Sequence, residues 1–151
     1  MDSGISFHVD ATQGSSRRLG VKIEINGPFT ENILELRFPR WVPGSYFIRE
    51  PIQHMSEISA TCDGTEIKVS RVDVDGARIS GVSGASKIVL TYRLLAAEMT
   101  CRANHLDATH VHIMPPYTWM IPTRGIDKDR MNNNHKITLD TPKGWETATQ
   151  L

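Results

Sequence analysis

The dominant pattern along the chain has a period of two. Val21, Ile23 and Ile25 alternate with Lys22, Glu24 and Asn26. Leu34, Leu36 and Phe38 alternate with Glu35 and Arg37, and Ile67 and Val69 flank Lys68. Ile88, Leu90, Tyr92 and Leu94 share one face against Lys87, Thr91 and Arg93, and Ile137 and Leu139 flank Thr138. Successive side chains of a strand point to opposite faces, so each run predicts a strand with one face buried and the other in water. Half-wet strands suit antiparallel sheets. The turn chemistry agrees. Asp63-Gly64, Asp75-Gly76 and Ser83-Gly84 fall between such runs, where glycine tolerates the positive φ of a tight hairpin turn. No convincing amphipathic helix appears. The stretch 48–55 has room for a turn of helix, with Pro51 inside it. The pattern predicts one all-β domain over residues 1–151, an antiparallel β-sandwich of roughly eight to ten short strands, with a barrel as the alternative. Residues 125–134 are polar and rich in turn formers, and predict a mobile loop.

Composition narrows the function classes. The 151 residues make one domain's worth of chain, long enough for a core without metal or disulfide staples. Seventeen Lys plus Arg balance seventeen Asp plus Glu, which argues against nucleic acid as a partner, since that affinity needs a basic stripe. No apolar run approaches the roughly 20 residues of a membrane span, and no signal peptide is visible. A cytoplasmic setting is favoured, with a secreted one open if a leader is removed. Cys62 and Cys101 are the two cysteines. They read as buried thiols, with a single disulfide as the alternative.

Two segments break the alternation. Residues 38–49 carry two prolines, a glycine and several aromatics, and residues 104–119 carry three histidines and two prolines. None of the six histidines is followed by glutamate, so the His-Glu-x-x-His zinc motif is absent. His110 and His112, two apart on a strand, share a face, with His105 upstream. Three imidazoles suit zinc or copper, and a histidine pair on a wet strand face equally needs no ligand. Asp107 is the one nearby carboxylate. Gly44-Ser45-Tyr46 lacks the second glycine of a nucleophile elbow, so Ser45 reads as a turn residue bonded to local backbone. The leading reading of Trp41 and Tyr46 is a plug at the end of the sandwich, with Pro39 and Pro43 fixing the turn, and stacking of Trp41, Tyr46 and Phe47 on a sugar or a partner surface is the alternative. Arg49 suits a carboxylate inside the domain or across an interface.

The same two segments carry a resemblance. Leu36-Arg37-Phe38-Pro39-Arg40-Trp41-Val42-Pro43-Gly44-Ser45-Tyr46-Phe47-Ile48-Arg49 resembles the Pro-x-Trp-x-Pro-Gly-Ser-Tyr-x-Ile-Arg signature in the N-terminal domain of the glycyl aminopeptidase family of zinc metallopeptidases. Phe7–Asp10, the Lys87–Leu95 strand, Cys101-Arg102 and Leu106-Asp107-Ala108-Thr109-His110 are similar to further family stretches in the same order. The closing residues Pro142–Leu151 resemble the Pro-x-Gly-Trp-x-x-Ala-Thr-x-Leu stretch that ends this domain. After His110 the chain departs from the family's Phe-x-Asn-Gly-like stretch.

The resemblance implies a β-sandwich that precedes a helical zinc domain, with no catalytic residue, cofactor or metal ligand in this chain. Zinc is expected in the parent's catalytic domain. The implied partners are that downstream domain and, through it, a peptide substrate. Trp41, Tyr46, Arg49, Asp107, His110 and His112 are the expected interdomain or substrate-cleft contacts. Two other readings stay open. One is a free-standing module that holds a glycan or peptide with Trp41, Tyr46 and Trp119. The other is a metal-binding protein using His105, His110 and His112.

Overall fold

The longest alternating run forms the strand expected of it. Lys87–Leu95 buries Ile88, Leu90, Tyr92 and Leu94 and leaves its other face partly wet. It pairs in unbroken antiparallel register with Arg18–Asn26, from Arg18 opposite Leu95 to Asn26 opposite Lys87. The computed structural model describes residues 2–150, so the Leu151 of the closing stretch lies outside the described residues.

Twelve strands are present among the described residues. They are β1 (Asp2–Asp10), β2 (Arg18–Asn26), β3 (Ile33–Arg37), β4 (Met55–Cys62), β5 (Thr65–Ile67), β6 (Val69–Val72), β7 (Gly76–Ser80), β8 (Lys87–Leu95), β9 (His105–Leu106), β10 (Val111–His112), β11 (Ile121–Arg124) and β12 (Asn134–Asp140). A six-stranded sheet runs β12-β1-β2-β8-β4-β5, and a four-stranded sheet runs β11-β3-β7-β6. Strands β9 and β10 form a small hairpin. Leu34, Leu36, Phe38 and Ile79 from the smaller sheet share one apolar cluster with Ile5, Ile23, Ile88 and Leu90 from the larger. Two sheets closing on a common core make the all-β sandwich that the alternation predicts. The ring of Phe38 meets that of Tyr92 edge-on at 5.8 Å, a favoured aromatic geometry.

The Asp63-Gly64 turn joins β4 to β5 with both residues at positive φ, 48° and 86°. That is the signature of the mirror-image turn whose twist matches a hairpin. In the Asp75-Gly76 hairpin the positive φ falls on Asp73, while Gly76 is already in β7. One pairing is not antiparallel: β12 returns to the edge of the large sheet parallel to β1. Such a pairing needs a long crossover, and the whole domain intervenes between the two strands.

Two local expectations are corrected. Residues 125–134 are a pinned segment. Lys128–Asn132 forms a 3-10 turn capped by Asp127, and Arg130 donates to the carbonyls of Asn26 (2.6 Å), Ser3 (2.9 Å) and Pro28 (3.2 Å). At Gly125, φ is 94° and a Cβ would lie 2.2 Å from the Ile33 carbonyl oxygen. Polarity signals a loop, yet guanidinium-to-carbonyl bonds can fix a polar loop as firmly as burial does. Second, neither cysteine is buried. Cys62 is half-buried and Cys101 exposed, both as free thiols. Among the described residues there is one α-helical turn, α1 (Pro115–Thr118), started by two prolines whose missing N–H groups cost nothing at a helix N-terminus. The expected turn near Pro51 forms as a 3-10 segment, Pro51–His54.

Candidate functional site

The loop at 38–49 cannot continue β3, because Pro39 and Pro43 remove ladder donors. It folds on itself around Ser45, which is buried. The Ser45 hydroxyl donates to the Phe47 carbonyl (3.0 Å) and accepts from the Phe47 N–H (3.3 Å) and the Arg49 Nε–H (3.2 Å). Trp41 donates its indole N–H to the Ser45 carbonyl at 2.9 Å. The Arg49 N–H donates to the Arg40 carbonyl at 2.7 Å and closes the loop. Ser45 is thus the local-backbone turn residue its sequence context implies. Gly44, at φ 82°, has no atom within reach of an added Cβ, so conformation alone calls for glycine there.

This polar pin turns apolar side chains outward. Tyr46 is 96% exposed and Trp41 57%, and Phe47 and Ile48 are also exposed. Neither Trp41 nor Tyr46 plugs the sandwich. Beyond Phe38, which lies in the main core, Val42 turns inward, onto Ala103 and Tyr117 beside Met114.

The second segment is built the opposite way. Its organising group is Asp107. One carboxylate oxygen accepts from the Thr109 N–H and hydroxyl, both at 2.7 Å, and from the His110 N–H at 3.1 Å. The other is 2.9 Å from His105 Nε2. These bonds, that to His105 foremost, hold the Asp107 carboxyl well below the usual carboxylate range. His105 is only 3% exposed, and its ring lies 4.9 Å from that of exposed His110. His105, Asp107 and His110 each offer a donor atom, all within 4.8 Å of one another. Those atoms already serve as a clasp on the β9–β10 turn. His112 is exposed and is not part of this cluster. Gly14 lies beneath the clasp, where a Cβ would meet the Asp107 carbonyl oxygen at 2.4 Å.

The two segments flank α1. Tyr117 packs under the loop through Val42. On the other side Pro115 and Trp119 line a groove of about 1240 Å³, shared with His110, His112, exposed Ile137 and Trp145. Residues 144–150 run along the same groove. The His110–His112 stretch therefore lies beside the last described residues of the chain.

A family model for the Peptidase M61 N-terminal domain matches residues 6–151. The chain belongs to this family. It is an N-terminal domain of a metallopeptidase family, as the resemblance implies. The fold is that of solved structures with little sequence in common. A crystal structure of an aminopeptidase N family protein from Idiomarina loihiensis superposes with a TM-score of 0.80 at 18% identity, over 92% of this chain and 22% of that one. A crystal structure of an M1 zinc metallopeptidase from Deinococcus radiodurans gives a TM-score of 0.50 at 7% identity, over 92% of this chain and 32% of that one. The chain thus spans about a fifth to a third of the length of these proteins. No curated protein matches it.

The helical His-Glu-x-x-His zinc motif is absent from the sequence of this M61 N-terminal domain. The helical motif requires two histidines one turn apart with a glutamate between them. The α-helix among the described residues is four residues long and contains no histidine. Nor do the three aromatics of the glycan or peptide module gather on one platform, because Trp119 is 9% exposed and packs on Phe7 with ring centroids 5.6 Å apart.

Sequence reasoning missed the residues that seat both segments. The Tyr92 hydroxyl donates to the Thr118 carbonyl (2.7 Å) and accepts from the Met120 N–H (3.0 Å). Asn104 accepts from the Met114 N–H (2.8 Å) and the Thr118 hydroxyl (3.0 Å), and donates to the Tyr117 carbonyl (3.2 Å). A tyrosine on the otherwise aliphatic face of β8 was the available signal, since a buried phenol requires a partner. Asn104 gave none, because its partners lie 10 to 14 residues away across an irregular turn.

Proposed function

We propose that this chain is the non-catalytic N-terminal domain of a zinc-dependent, glycyl-aminopeptidase-like enzyme, that it packs on the downstream catalytic domain, and that it walls one side of the substrate cleft. The observation that carries this reading is the outward-facing Trp41–Ile48 surface, held open by a buried serine. An isolated domain gains nothing from fixing four large apolar side chains in water, whereas a contact face gains preorganised area. Trp41, Tyr46 and Arg49 supply the aromatic and guanidinium anchors typical of interface centres. His110 and His112 border the neighbouring groove and give the cleft side its polar rim, with Asp107 holding the turn that carries His110. Zinc and the water it activates belong to the downstream domain, and this domain shapes and dries the site.

The test compares the full-length enzyme with its Tyr46→Ala and Trp41→Ala variants. A wall of the cleft predicts a KM for short peptides raised about tenfold or more, with the thermal midpoint of this domain unchanged. Unchanged kinetics for both variants would remove the wall from the reading. A parent polypeptide with no zinc motif downstream would remove the peptidase.

A further inference from the structure

We propose that Arg49 is the seat of a carboxylate carried by the downstream part of the polypeptide, so that docking of this domain is keyed by one buried ion pair. The inference rests on the docking reading above and adds the chemistry of the partner surface.

The donors of Arg49 are unevenly used. Its backbone N–H goes to the Arg40 carbonyl and its Nε–H to the Ser45 hydroxyl. Its two terminal amino groups have no acceptor among the described residues. No carboxylate among the described residues pairs with it. Arg37 holds Asp73 and Asp75, Arg78 holds Glu35, Arg124 holds Glu31, and Glu98 faces His54. The inside-or-across alternative for Arg49 therefore resolves outward.

The guanidinium is also held in place. It is half-buried, tied at Nε, and lies with Cζ 5.8 Å from the Phe47 ring centroid. A fixed planar fork with its outer edge free matches a carboxylate in two parallel bonds, with little further ordering needed.

The surroundings then restrict the occupant. Exposed Trp41, Tyr46, Phe47 and Ile48 lie within eight residues of one another on the loop that ends at this group. A surface that covers them excludes water from Arg49 as well. A covered guanidinium without an acceptor is strongly unfavourable, whereas a paired one in a dry setting interacts more strongly than in water. An apolar partner surface is accordingly required to present an Asp or Glu opposite Arg49. The matched relative extends for more than three-quarters of its length beyond the region this chain covers, so ample chain of that kind supplies the occupant.

The test uses the full-length polypeptide and amide hydrogen exchange across residues 40–49, with Arg49→Glu, Arg49→Gln and Arg49→Lys variants. The wild type is expected to protect the segment. Arg49→Glu is expected to speed exchange there at least tenfold, Arg49→Gln less, and Arg49→Lys least, while β2 and β8 keep their protection. A downstream Asp or Glu changed to Lys is expected to restore the Arg49→Glu variant. Protection retained in Arg49→Glu overturns the ion pair and leaves docking intact. A wild-type segment that exchanges freely overturns docking itself. Retained protection with KM raised only for peptides bearing a free C-terminal carboxylate also overturns the proposal, because it assigns Arg49 to the substrate.

Discussion

The Trp41–Arg49 loop and the Asp107–His112 turn are built on the same device and face opposite ways. In each, one short polar side chain gathers the bonds of a turn: the Ser45 hydroxyl in the first, the Asp107 carboxylate in the second. The serine is buried and drives its aromatic neighbours into water. The aspartate is half-exposed and holds a histidine in the interior. A pin that hides a polar residue and shows apolar ones is poorly explained by the stability of this domain alone. A pin that hides its own histidine is explained by it. On the proposed reading the first segment serves contact and the second chiefly structure, with its exposed His110 and His112 edge on the groove.

The largest break in that comparison is expected from the seat of the structural side. Asn104→Ala removes three hydrogen bonds, two of them buried and one part-buried, and leaves the Met114 N–H and Thr118 hydroxyl without Asn104 as acceptor, at a cost of about 3 kcal/mol. A shift in the urea midpoint measures it. A smaller effect is expected at Tyr92. Tyr92→Phe leaves the Met120 N–H unpaired in the core, for about 1–2 kcal/mol. Burial pushes the Tyr92 hydroxyl far above its ordinary value. The neutral phenol is therefore favoured in the folded state. Its contribution is whole below the unfolded phenol value of about 10 and declines as the pH rises above it. Thermal midpoints are expected to fall above about pH 10 in the wild type, and less steeply in Tyr92→Phe. A parallel decline in both would assign the alkaline loss to other groups. The smallest effect is expected on the contact side. Tyr46→Ala is expected to change unfolding free energy by less than about 0.5 kcal/mol, since the side chain is 96% exposed. A loss comparable to that of Asn104→Ala would mean that the loop is structural as well.

The fold was legible where one face of a strand is wet. Alternation placed β2, β3, β8 and β12, and Asp63-Gly64 placed a hairpin, because period and turn geometry are local properties. The parallel return of β12 beside β1 was not legible, as no local pattern encodes which edge a strand joins. The arginine that fixes residues 125–134 was hidden for a similar reason: its three carbonyl partners lie more than 100 residues away in sequence. The candidate site divides along the same line. That residues 38–49 and 104–119 are exceptional can be read from their proline, glycine, aromatic and histidine content. Which of their side chains face water cannot.

By itself, then, the sequence determined the sandwich, the two exceptional segments and the want of a helical zinc motif, all through short-range periodicity, turn chemistry and motif spacing. The tertiary structure decided that Trp119 is packed on Phe7 while Trp41 is outside, that His105 joins Asp107 while His112 stays apart, and that Arg49 pairs with no carboxylate among the described residues. Those outcomes depend on which distant atoms a side chain meets once the two sheets have closed, and burial and pairing exist only after that closure.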